Sequence, residues 1–238
     1  MSGQYAVEAD ERWVHRAGGT SAILFGVAYI VIIALYIPMG APPSGVEERL
    51  VYVAGNRTAW WAILGLSVLT DFLLAPVALS LYLALKGINK NAMLMATAFV
   101  GLFVLLDLAI TWTNYASLII LSDSYATVTD EIQRTAIVTA ATAPALILES
   151  SLLFIYNSLT LAIGILLTGL VMLKGVFSKG MAYLGIATGV LGIVAVVGSM
   201  FVSALGTVII LASILTTIWV LFAGFRLYRL GLSRNLSP

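Results

Sequence analysis

The sequence predicts an all-α fold: a polytopic membrane helix bundle of six transmembrane helices, with N- and C-termini cytoplasmic and a single transmembrane domain over residues 1–238. Three observations lead there. Apolar residues make up 61% of the 238 positions and charged residues only 10%, with a mean hydropathy of +1.06, an excess that no water-soluble fold of this length needs. The apolar residues fall in runs of membrane-spanning length, where every backbone N–H and C=O must be paired within the segment. These runs are apolar all round, without the alternation of a membrane β-barrel. Finally, the basic residues segregate to one side of the spans.

The first span runs over about 19–38 and ends at the Pro-rich MGAPPSG. The second covers about 60–85, and the turn KGINKN separates it from the third, about 92–121. The polar stretch SDSYATVTDEIQR precedes the fourth span, about 144–173, and KGVFSKG leads into the fifth, about 181–199. Residues 181–225 carry no charge, and only SMFVSALG at 199–206 suggests a break before a sixth span at about 203–225. With the N-terminus inside, nine of the twelve basic residues are cytoplasmic, including Arg12, Arg16, Lys86, Lys90, Lys174, Lys179 and Arg234, whereas Arg49, Arg57 and Arg134 are outside. This asymmetry follows the positive-inside rule. Trp60 and Trp61 at the start of span two fit an interfacial belt.

The two long connections, 39–59 and 122–143, are both on the outer side. VEERLVYVAG and TDEIQRTAIVTAATA each suit a short helix, the second with a Thr or Asp cap near residues 129 and 130. They are read as interfacial connectors or as a lid. The N-terminus is acidic before it is basic, unlike a cleaved signal peptide, so the first apolar segment is expected to stay in the mature protein.

Composition also excludes chemistry. There is no cysteine, which removes disulfides, thiolate metal sites and a cysteine nucleophile. The single histidine, His15, precedes the first span, so no histidine-based metal centre or serine triad is expected deep in the membrane. Magnesium-type acidic motifs, HExxH and GxSxG are missing. No cofactor, no metal and no nucleic-acid partner is expected.

Against this apolar background three acids fall within spans: Asp71, Asp107 and Glu149. No Lys, Arg or His lies at comparable depth, so they are not expected to be salt-bridged within the chain. An ionised carboxyl in hydrocarbon is costly, and each acid should be protonated, hydrated in a cavity, or hydrogen-bonded. At about 1.5 Å per residue, Asn114 and Glu149 lie about 10 Å below the outer edge, Asp71 about 16 Å, and Asp107 and Asn157 about 20 Å. Asp107, Thr111 and Asn114 follow i, i+4, i+7, while Glu149, Tyr156 and Asn157 follow i, i+7, i+8. Ser67 with Asp71 follows i, i+4, and Pro76 in the same span can free a carbonyl nearby. Trp112 and Tyr115 either border such a site or anchor the helix. The candidate ligand-binding set is therefore Asp71, Asp107, Thr111, Asn114, Glu149, Tyr156 and Asn157. Gly185 and Gly189, four apart in span five, form a small-residue stripe for close packing or dimerisation, and spans five and six read as scaffold.

This pattern favours an outward-facing acidic intramembrane cavity that binds or senses a small molecule, a proton or a cation. Two other classes stand beside it: an accessory or structural subunit whose acids meet a membrane protein partner or a second copy, and an intramembrane lipid-modifying enzyme. Lipid is a partner in every case.

The stretch LLTGLVMLKGVFSKGMAYLGIATGVLGI, residues 166–193, and the Arg16-Ala-Gly-Gly entry to span one resemble an uncharacterised group of bacterial and archaeal multispan membrane proteins. The resemblance implies the same multispan fold and membrane location and assigns no catalytic residue.

Overall fold

The computed structural model describes residues 9–232, so residues 1–8 and Arg234 of the cytoplasmic basic set lie outside it. The described residues form helices without a strand: α1 (Ala9–Tyr36), α2 (Val46–Gly55), α3 (Arg57–Leu106), α4 (Trp112–Thr127), α5 (Glu131–Glu149), α6 (Ser151–Met172), α7 (Lys179–Ser199) and α8 (Val208–Leu232). A π-helical turn, Asp107–Thr111, joins α3 to α4. Five helical stretches are long and apolar enough to cross a membrane, the longest being Arg57–Thr127. Large apolar side chains such as Phe72, Leu105 and Leu152 face outward at 61–67% exposure. In water such a surface invites association; against lipid it is the expected exterior.

The helix boundaries have local causes. Within α3, Asn89 leaves helical geometry (φ −152°, ψ 90°), and its side chain accepts from the Ala92 N–H at 3.1 Å, so KGINKN is the expected turn. Ser178 caps α7 by accepting from Met181 N–H, and Asp130 caps α5 by accepting from Gln133 N–H at 3.0 Å. The break foreseen at 199–206 is present as the end of α7 and a 3₁₀ turn at Ser203–Thr207. The expected fourth span at 144–173 is divided. Ser150 (φ −63°, ψ 124°) separates α5 from α6, and Pro144 lies inside α5 rather than starting a helix.

By packing, the chain falls into two units. Among the described residues, unit one comprises 9–27, 72–104 and 158–232. Its helices approach closely through glycines. A Cβ at Gly189 would lie 2.6–2.8 Å from Leu166 and the Ala162 carbonyl, and one at Gly185 would lie 2.6 Å from Trp219 Nε1. The Gly185/Gly189 stripe is thus used within the chain, against α6 and α8. Gly18 and Gly19 of the Arg-Ala-Gly-Gly entry do the same, facing Ser80 and the Tyr228 backbone, while Arg16 Nε donates to the Gly231 carbonyl at 2.9 Å. His15 is buried inside α1 and sits 3.0 Å from Ser80 Oγ, with Lys86 paired to Glu11 nearby in sequence. The polar N-terminal segment extends into the packed helix further than the sequence suggested.

Unit two comprises residues 28–71 and 105–157. The two long connections are structured here: α2, α4 and α5 pack through Leu50, Leu118, Tyr125, Ala141 and Ala145. Polar contacts fix their outer faces. Tyr125 Oη donates to Glu47, Arg134 lies 4.7 Å over the Tyr125 ring, and Arg57 pairs with Asp123 at 2.9 Å. VEERLVYVAG is helical as expected, with Glu47 and Glu48 in its first turn, where the helix dipole favours negative charge.

Candidate functional site

The candidate site lies wholly in unit two. Its floor is built from α3, the π turn and the first turns of α4 and α6. Asp71 and Asp107 are buried, at 3% and 7% exposure, in otherwise apolar helices. Trp112 Nε1 donates to Asp71 Oδ2 at 2.8 Å. Asn157 Nδ2 donates to Asp107 Oδ1 at 2.7 Å and approaches Thr111 Oγ1 at 3.3 Å. Asp71 and Asp107 feel each other electrostatically, and Trp112 interacts with both. Two carboxyls and three donor-bearing side chains, Trp112, Thr111 and Asn157, therefore form one connected network, with hydrogen bonds offsetting burial.

The π turn makes this arrangement. It widens the helix over Asp107–Thr111, so Asp107 and Thr111 both meet Asn157 while Trp112, one position further, points its N–H at Asp71. The regular i, i+4, i+7 spacing expected from sequence does not continue through this turn. Asn114 consequently leaves the network and donates to the Ile110 carbonyl of its own helix at 2.7 Å. Tyr156 is half-buried and makes no side-chain hydrogen bond among the described residues, and Ser67 has only its carbonyl engaged, by Thr70 Oγ1 at 2.7 Å. Of the seven expected residues, Asp71, Asp107, Thr111 and Asn157 converge.

Glu149 requires a correction. It is the last residue of α5, outside the Ser151–Met172 stretch, and its side chain is 47% exposed. It forms an ion pair with Arg49 of α2, whose side chain is 13% exposed and also donates to the Pro43 carbonyl at 3.2 Å. The expectation that no basic residue reaches these acids fails here because α2 folds back as a packed helix, bringing Arg49 to the end of α5.

The sequence offers no motif beside this ion pair, yet the structure has a cavity of about 200 Å³ there. Arg49, Glu149, Tyr52, Trp60, Tyr115 and Leu148 contribute to its wall. Trp60 is buried at 4% exposure, whereas Trp61 is 41% exposed, and the Trp60 Nε1 has no hydrogen-bond partner. Tyr36 and Tyr52 meet the Trp60 ring edge-on, while Tyr115 stacks on it with centroids 5.4 Å apart and 22° between planes. Tyr115 also stacks on Trp112 at 5.6 Å. The rings thus connect the cavity wall to the Asp71–Trp112 hydrogen bond. Burial pushes the Tyr52 hydroxyl above the usual phenol range, so it remains a neutral donor, held on the Gly40 carbonyl at 3.1 Å.

Arg49, Tyr52 and Trp60 are site residues that sequence reasoning did not select. The only available signal was the density of aromatic residues around the outer ends of the spans. Among the described residues no three His, Cys, Asp or Glu side chains come together to hold a metal ion.

No family model, curated protein or solved structure matches the chain.

Proposed function

We infer that this chain is a six-span protein of the cell membrane, with both ends cytoplasmic, which binds or senses a small molecule or cation in an outward-facing cavity. The Asn89 break supports the count, because it divides Arg57–Thr127 into two lengths that each suit one crossing. The charge asymmetry supports the orientation.

The observation that carries the functional reading is the coupling of a cavity to a buried acid network through stacked rings. A guest that displaces Tyr115 from the cavity wall disturbs Trp112, on which Tyr115 stacks, and Trp112 holds Asp71. Buried acids in membrane helices are costly unless used, and serine would supply a hydrogen bond without the ionisation penalty. The reading is tested on full-length protein in detergent, by thermal unfolding between pH 5 and 8 against a panel of small amines, acids and inorganic cations. A ligand-dependent rise in Tm that Asp71→Asn or Asp107→Asn alters is expected. Unresponsive wild-type protein, with both variants unfolding identically to it across that range, would overturn the reading.

A further inference from the structure

We propose that the cavity takes a small monocarboxylate, whose carboxyl group accepts hydrogen bonds from Arg49 while its apolar body packs on Leu118, Ile119 and Leu148. The inference rests on the binding role assigned above and specifies its ligand class.

Arg49 is the one cation in the wall, and its guanidinium belongs to a side chain that is only 13% exposed. A guanidinium matches a carboxylate through paired N–H groups, which makes it the cation suited to this guest. The aromatic residues do not favour a cationic guest, because Trp60 and Tyr115 are stacked face to face and Tyr115 is stacked again on Trp112. An ammonium ion needs free ring faces. Glu149 is the one acid in the wall, and Arg49 already holds it.

Glu149 then has a definite role. Its carboxylate occupies Arg49 from the exposed side, at the end of α5, next to the extended Ser150. An incoming carboxylate replaces it on the guanidinium, and Glu149 turns to solvent. The exchange is charge-neutral at Arg49 and breaks no covalent bond. A cavity of about 200 Å³ exceeds the roughly 150 Å³ that accommodates benzene. That leaves room for one ring or a short acyl chain together with a carboxyl group.

The test is calorimetric titration of the full chain in detergent with three isosteres: benzoate, benzylamine and toluene. Octanoate, below its micelle concentration, separates an acyl-chain acid from a soluble aromatic acid, and binding of either acid supports the proposal. Benzoate or octanoate is expected to bind while benzylamine and toluene do not. Arg49→Lys keeps the charge, removes the paired N–H groups, and should weaken acid binding about tenfold. Glu149→Gln removes the internal competitor and should strengthen it by about three- to tenfold. Binding of benzylamine in place of the acids, weakened by Glu149→Gln, would overturn the carboxylate assignment while leaving the binding site standing. Acid binding that Glu149→Gln leaves unchanged would also overturn the assignment. If none of the four probes binds, both the assignment and the binding role of the cavity fail together.

Discussion

At the residue scale, the acids separate by partner. Asp71 and Asp107 are held by neutral donors inside the helices, whereas Glu149 is held by a cation at a helix end. Their substitutions should differ accordingly. Trp112→Phe leaves Asp71 without its hydrogen bond in a buried setting and is expected to cost about 1–3 kcal/mol. Thermal unfolding of Trp112→Phe, Asp71→Asn and the double variant checks this, with strong non-additivity expected for directly bonded partners. Glu149→Gln breaks an ion pair that is half open to solvent, so its stability effect should stay within about 1 kcal/mol and shrink with added salt. The sequence exposed Asp71, Asp107 and Asn157 as polar residues at matched depth, and two of the three bond directly. It did not pair Arg49 with Glu149, since they are a hundred positions apart and no periodicity relates them.

At the element scale, the π turn and the glycine seams set the geometry. Deleting Ala109 should convert Asp107–Thr111 to regular α-helix and rotate Trp112 by about 100° relative to Asp107. The Trp112–Asp71 bond would then be lost, and a shift in tryptophan emission on folding in detergent would report it. A π turn adds a residue without a sequence signature, and for that reason the expected i, i+7 partner Asn114 was misplaced. The seam between α6 and α7 was legible as a stripe, but its partner was not. Gly189→Val drives a side chain into Leu166 and the Ala162 carbonyl, with an expected cost of about 1–3 kcal/mol, read as a lowered Tm. Unchanged Tm together with lost self-association would instead assign the stripe to dimerisation. At α5, Asp130→Ala removes the cap to Gln133 and should cost about 1 kcal/mol.

At the scale of the whole molecule, the absence of native cysteine makes topology directly measurable. Single cysteines introduced at Ser44 and Thr129 should react with an impermeant maleimide from outside intact cells. Those at Gly87 and Ser178 should react only after permeabilisation, and the opposite pattern would invert the proposed orientation. The sequence by itself determined the all-helical class, the apolar helices, the turns at Asn89 and Ser178, and the two helices in the long connections, with the cap at Asp130. Those features depend on local hydropathy, capping and chain-breaking residues, which act over a few neighbouring positions. Tertiary structure decided the division of the expected fourth span, the burial of His15 and Trp60, the Arg49–Glu149 pair and the cavity beside it. Each of these depends on which faces of distant helices meet, and a pattern that is apolar on every face carries little information about that choice.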